Sequence, residues 1–502
     1  MNKNSDDKYL HINHLKKNLK EHAVRGGVVT LGSQFFLFVF GMVSTAVLAR
    51  LLTPDDHGLI FMVMPIIGFI YLFKDLGLSQ ATVQKADITH RQISMLFWVN
   101  LTFSSILMVA TVIAAPLIAR FYSRPQLTLV TIALAFGFFM GGLTVQHQAL
   151  LRRQMRFHII AVIDVVAAIF GLAAGIVSAM YGLKYWALVI KTLVTAAVTE
   201  AGVWIACGWR PSPPRLGSGA FSMIRFGAHI TGFNILNYGS ANIANVLIGK
   251  FSGAQPVALF GKAKQLTLIP IQQINYPISP VAISSLSRLA GNPEAYRRAY
   301  LRILEKIAMI TMPGVAALIA TADWVVMAML GPQWTAVTQL FTLLGIAALF
   351  KPINNTMGWL FISQGRTRHM FKWGIISGII TICSICAGLP WGVVGVTASF
   401  SFVSVFLSTP LLYWFTGKTG PVRTRDIYRT IASPAFVSVC LFLALSAFRR
   451  LSQIDIKAGV PAAMLISVVV TLLLYVILPD TRKALGDFME MAMINRRGKG
   501  KI

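Results

Sequence analysis

The sequence predicts an all-helical, polytopic membrane protein, and three observations carry that expectation. Charged residues make up 12% of the chain, about half of the roughly 25% usual in soluble proteins. Mean hydropathy is +0.68 over 502 residues. The apolar residues come in long runs broken at regular intervals, most of them near or above the ~20 residues that a helix needs to cross a bilayer.

In chain order, residues 1–25 are polar and basic, with Ile12, Leu15, Leu19 and Ala23 at helical spacing. They fit a cytoplasmic amphipathic segment lying on the bilayer, and equally a disordered tail. About 14 spans then follow, at 27–49, 58–76, 93–117, 127–149, 159–180, 185–207, 221–248, 257–287, 307–330, 335–361, 371–389, 391–415, 428–447 and 459–478. The first is longer than a signal-peptide core and lacks a small-residue cleavage site, so it reads as retained. A basic tail covers 481–502.

Lys and Arg alternate in density from one loop to the next. With the N-terminus inside, the inner segments hold 33 and the outer loops 8. That bias places both termini in the cytoplasm. It also explains the net charge of +28 better than nucleic acid, whose binding is not expected. The four cysteines, Cys207, Cys383, Cys386 and Cys440, lie in or at the edge of apolar runs. Cys383 and Cys386 read as two small apolar side chains one turn apart rather than as a redox or metal pair.

An internal repeat is visible. A shift of 200 residues places Gly27 on Gly227, Gly32 on Gly232, Gln34 on Asn234 and Arg50 on Lys250; a shift of 210 places Arg156 on Arg366 and Gly182 on Gly392. Six spans separate the copies, an even number, so the halves share one orientation. The expected organisation is an N-lobe at 26–207, a cytoplasmic linker at 208–220, a C-lobe at 221–416 and two extra helices within 417–480. The two six-helix lobes would be related by a pseudo-two-fold axis along the membrane normal.

No phosphate-binding glycine loop follows a strand, no histidine pair has metal spacing, and no cytoplasmic segment is long enough for an ATPase domain, so no enzyme is expected. Asp55-Asp56-His57 reads as a helix-capping triplet rather than a metal cluster. The informative residues are polar ones inside spans, because burying them in lipid is unfavourable. Asn234, Asn237, Tyr238, Asn242 and Asn245 share one sector of span seven, either a hydrogen-bonded seam or, the preferred reading, a water-lined wall. Span eight carries Lys262, Lys264, Gln272 and Asn275 among three prolines, Pro270, Pro277 and Pro280. Prolines free backbone groups, which a membrane tolerates only beside protein or a wet cavity. Lys262 and Lys264 lie ~200° apart on a helix, so an undistorted helix cannot turn both toward one point. Lys351 falls deep in span ten, next to Pro352, where it must meet a cavity or an acid. The acids available in spans are Asp164 and Glu200, which otherwise stand as proton- or sodium-coupling candidates. Lys191 shares span six with Glu200 but sits on the opposite face.

The LARLLTPDDHGLI string of residues 48–60 and the DLGLSQA string of 75–81 resemble the first hairpin of the Wzx-type oligosaccharide flippases. These belong to the multidrug/oligosaccharidyl-lipid/polysaccharide exporter superfamily, and within them the chain looks most like the colanic-acid type. The resemblance implies translocation of an undecaprenyl-diphosphate-linked oligosaccharide from the cytoplasmic to the periplasmic face of the bacterial inner membrane. It implies no cofactor beyond a proton or sodium gradient, and membrane lipid, a polysaccharide polymerase and export machinery as partners. A cation-rich cavity suits an anionic diphosphate or uronate cargo. The rival readings are a multidrug antiporter, which should prefer acidic lining residues, a peptidoglycan lipid-precursor flippase, and a non-transporting scaffold of polysaccharide assembly.

Overall fold

The computed structural model describes residues 19–73, 78–85, 88–214, 238–452, 456–478 and 482. Among them regular structure is helical throughout, and the chain packs as two compact units that divide between Ala258 and Leu259. The first unit contains α1 (Leu19–Leu51), α2 (Pro54–Tyr71), α3 (Leu78–Gln84), α4 (His90–Tyr122), α5 (Gln126–Arg153), α6 (Phe157–Met180) and α7 (Trp186–Ala206). A helix at 238–252, α8, completes it. Helix α9 (Ala254–Arg288) begins at its end and runs into the second unit. That unit continues with α10 (Pro293–Ala320), α11 (Ala322–Met329), α12 (Val337–Ala348), α13 (Lys351–Ser363), α14 (Thr367–Gly388), α15 (Gly392–Val403), α16 (Thr409–Gly417), α17 (Thr424–Ser452) and α18 (Ile456–Ile477).

Ten helical stretches among the described residues are long and apolar enough to cross a bilayer. Large apolar side chains such as Ile113, Met180, Ile205 and Phe402 stand exposed along them, as lipid-facing surfaces require. This is a multi-pass membrane protein. Three expected spans fall outside the ten. Helix α2 opens on Asp55 and Asp56, α9 is long but rich in Lys, Gln and Asn, and span seven is described only from Tyr238 onward. The expected spans at 371–389 and 391–415 lie within one helical stretch, Thr367–Gly417, interrupted by a tight turn at Leu389–Trp391 and a wide one at Ser404–Ser408.

Local structure repeats where the sequence does. Met155 (φ 53°) and Gly365 (φ 67°) are both left-handed and stand 210 residues apart. The arginine after each closes the preceding helix, Arg156 N–H on Leu151 O at 2.9 Å and Arg366 N–H on Phe361 O at 2.7 Å, the six-to-one bond of a helix C-terminus. Gly182 (φ 75°) and Gly392 (φ 65°), also 210 residues apart, share a positive φ.

The TPDDHG string is a joint. Thr53 caps α2: its hydroxyl accepts from Asp56 N–H, and the Asp56 carboxylate accepts from Thr53 N–H at 3.0 Å. The other Asp56 oxygen accepts from Tyr185 N–H at 3.0 Å, which ties this turn to the one before α7. Asp55 stays outside, 3.7 Å from Arg124. At Gly58 a Cβ would lie 2.0 Å from the Ala254 carbonyl oxygen, so only glycine lets α2 reach the start of α9. The cap is thus Thr53, outside the Asp55-Asp56-His57 triplet expected to cap the helix and face water; Asp56 completes the capping box, and both it and His57 are buried.

Two substitutions separate that contact from generic glycine effects. Gly58→Val should lower the melting temperature of the detergent-solubilised protein by several degrees, because a backbone oxygen cannot move aside. Gly137→Ala, where nothing lies within 4 Å of the new methyl, should leave it unchanged or raise it slightly. Equal effects from both would show that the close approach does not matter.

Candidate functional site

Span ten is two helices. Helix α12 stops at Ala348, and α13 starts at Lys351 with Pro352 in its first turn. Proline has no N–H, and its ring crowds the carbonyl four residues back, so the first helix ends there. At the start of a new helix the missing donor would have been unpaired anyway. Asn275 on α9 donates its amide to Pro352 O at 3.1 Å, fastening the restart to a neighbouring helix.

Three positive features meet at this break. Lys351 is the first residue of α13, and its side chain is exposed at the protein surface or in a cleft of it. The Lys264 and Lys351 ammonium groups lie near enough to feel one another's charge. The N-terminus of α13 adds the partial positive charge of its unpaired N–H groups. Among the described residues no carboxylate pairs with Lys351. Asn355, one turn on, is also exposed, and Gly358 faces open space. Next to these residues on α13, Asn354 donates to Thr409 Oγ1 at 2.9 Å and holds the helix on α16.

The structure separates the two lysines of α9, as their spacing requires. Lys262 is only 4% exposed. Its ammonium lies 5.7 Å from the centroid of the Trp334 ring, a cation–π contact with a fully buried tryptophan. Lys264 is within range of the Lys351 charge, and Lys262 lies over Trp334. Gln272 lies on α9, and its side chain is outside the described set.

The amides of span seven divide differently. Asn234 and Asn237 lie outside the described residues. Tyr238 donates its hydroxyl to Met64 O on α2 at 3.3 Å. It reaches that carbonyl because residue 68 is glycine: a Cβ there would stand 1.9 Å from the tyrosine oxygen. Asn242 donates to its own helix at Tyr238 O, and Asn245 is buried with its carbonyl oxygen unmatched among the described residues. Asp164 on α6 is half-buried within range of the Arg152 charge, and Glu200 is half-buried on α7. Neither forms an ion pair among the described residues.

Sequence reasoning passed over Lys191, whose ammonium donates to Ser44 Oγ on α1 at 2.6 Å. The available signal was a lysine inside a span with no acid three or four residues away.

A family model described as polysaccharide biosynthesis protein matches residues 47–339. The chain belongs to that family. It is 24% identical to the lipopolysaccharide biosynthesis protein WzxC of Escherichia coli (strain K12) over 79% of this chain and 81% of that one. It is also 24% identical to the teichuronic acid biosynthesis protein TuaB of Bacillus subtilis (strain 168), over 84% and 88%. Among solved structures it resembles the lipid II flippase MurJ in an inward closed conformation, with a TM-score of 0.72 and 13% identity over 90% of this chain and 98% of that chain. At that identity the likeness is one of fold.

In this family member the two α9 lysines should respond in opposite directions. Lys264→Gln removes a like-charge repulsion and should raise the melting temperature of the purified protein at low salt. Lys262→Gln removes the contact with Trp334, about 0.5–2 kcal/mol, and should lower it. Shifts of the same sign would contradict the assignment of separate partners.

Proposed function

We propose that the protein flips an undecaprenyl-diphosphate-linked oligosaccharide from the cytoplasmic to the periplasmic face of the bacterial inner membrane by alternating access. The products served would be lipopolysaccharide, capsule or exopolysaccharide. The observation that carries this reading is the break at Lys351, where two lysines and a helix N-terminus gather positive charge and, among the described residues, no carboxylate pairs with Lys351. Such a site is built for an anion, and the diphosphate of a lipid-linked sugar, or a uronate within it, is one. The family and the relatives named for polysaccharide and lipopolysaccharide biosynthesis support the same cargo class. A carrier of cationic drugs would need the opposite charge at this place.

On this reading Lys351 and Lys264 attract the anionic group, and Asn275 holds the broken helix in position. Asn355 supplies an amide for sugar hydroxyls, and Asp164 or Glu200 couples the cycle to protons or sodium. The two sequence repeats, 26–207 and 221–416, are its two lobes, and both termini are cytoplasmic.

Two experiments test it. Lys351→Ala should leave the protein inserted and abundant but stop polymer export, while Lys351→Arg should retain part of the export. Normal export by the alanine variant would remove Lys351 from the cargo path. Reporter fusions at residues 155 and 295 should read as cytoplasmic and those at 122 and 253 as periplasmic; finding 122 and 155 on one side would overturn the orientation.

A further inference from the structure

Lys191 is a lysine inside a membrane helix whose surroundings hold more hydrogen-bond donors than acceptors. Its stem runs across α6, where Gly175 leaves room for it: a Cβ at 175 would lie 3.1 Å from Lys191 Cβ. Gly171, one turn earlier, admits the Lys191 carbonyl and Thr195 in the same way. The two glycines bring α7 onto α6 and let the ammonium reach past it to Ser44 of α1.

An ammonium has three N–H donors, and a serine hydroxyl has one donor and two acceptor positions. One Lys191 donor is used on Ser44 Oγ. Among the described residues the other two, and the Ser44 hydroxyl hydrogen, meet no acceptor, and no carboxylate lies within ion-pair distance. Ser44 is 3% exposed and Lys191 half-buried. On the same face of α1, one turn before Ser44, Gly41 has nothing within 4 Å of the position a Cβ would take. Three donors, one positive charge and an opening beside them describe a receptor for an oxyanion. A purely structural link between α1 and α7 would be served better by a neutral side chain, since a buried charge without a partner is costly.

We propose that Lys191 and Ser44 form a second anion-binding site, within the first unit, for a phosphate or carboxylate oxyanion of the cargo. This rests on the cargo class proposed above and adds a second point of contact to the Lys264–Lys351 break. Ser44, accepting from Lys191, turns its own O–H outward, so the ammonium and the hydroxyl donate to the same anion.

The test is a thermal-shift titration with inorganic pyrophosphate on protein purified in a neutral detergent. Wild type is compared with Lys191→Gln, Lys191→Arg, Ser44→Ala and Lys351→Gln. Pyrophosphate should bind at least about tenfold more weakly to Lys191→Gln and about threefold more weakly to Ser44→Ala. Lys191→Arg should recover part of the loss. Ser44→Ala keeps the charge and nearly the same volume, so it tests the site even if Lys191→Gln folds poorly. Unchanged pyrophosphate binding in Lys191→Gln and Ser44→Ala, alongside a loss in Lys351→Gln, would overturn this second site and leave the proposed function standing. No effect of pyrophosphate on wild type would defeat both. A parallel arm compares nanodiscs of phosphatidylglycerol with nanodiscs of phosphatidylcholine. Stabilisation by the anionic lipid that requires Lys191, with none by pyrophosphate, would make the anion a lipid headgroup and overturn the assignment to cargo.

Discussion

A helix cannot be interrupted inside a bilayer unless something takes up the backbone groups that the interruption frees. The break between α12 and α13 meets that condition locally. Pro352 has no N–H to leave unpaired, the Leu349 and Asn354 N–H groups bond back to Gly345 O and Phe350 O, and Asn275 reaches across to the Pro352 carbonyl. The N-terminus of α13 begins at Lys351 itself. Backbone polarity and side-chain charge thus have the same sign at one place in the membrane segment. The arrangement is poor for stability, because Lys264 adds a like charge. On the proposed function it becomes favourable when an anion arrives, and that asymmetry between empty and loaded states would suit a carrier.

Glycines make the other polar contacts possible. Gly58 admits the Ala254 carbonyl, Gly68 admits the Tyr238 hydroxyl, and Gly171 and Gly175 admit the backbone and stem at Lys191. In each case a methyl group would fill the space through which one segment reaches another. Close approach in lipid is driven by packing and hydrogen bonds rather than by exclusion from water, so small residues set where helices touch. The arginines serve the helix ends. Arg153 is buried and donates to the Thr82 and Lys85 carbonyls at the end of α3, and Arg449 pairs with Asp323 and lies over Trp324.

Features fixed by local chemistry could be read from the sequence. Long apolar runs gave the helices and the membrane, and glycine and arginine at a 210-residue spacing pointed to places where a positive φ recurs. The capping triplet marked the start of α2, although its cap is Thr53 and Asp56 is buried. Features that depend on which helix stands next to which could not be read in this way. Periodicity placed Lys262 and Lys264 on different faces but not that one would meet Trp334 and the other Lys351. It grouped Tyr238 with the amides of span seven, while the tyrosine is held by a carbonyl on α2 174 residues away in sequence. The span expected at 335–361 is one stretch, Val337–Ser363, and the local break beside Pro352 within it leaves hydropathy unchanged because apolar residues flank it on both sides. The acid on the same helix as Lys191, Glu200, lies on the opposite face, and the partner of Lys191 is 147 residues away.

The most direct measurement is a structure of the purified protein bound to an undecaprenyl-diphosphate-linked oligosaccharide. A diphosphate or uronate oxygen should lie about 2.7–2.9 Å from Lys351 Nζ, with Lys264 turned to the same group and Lys262 still over Trp334. A cargo whose anionic groups are held elsewhere, with Lys264 and Lys351 touching none of them, would contradict the account.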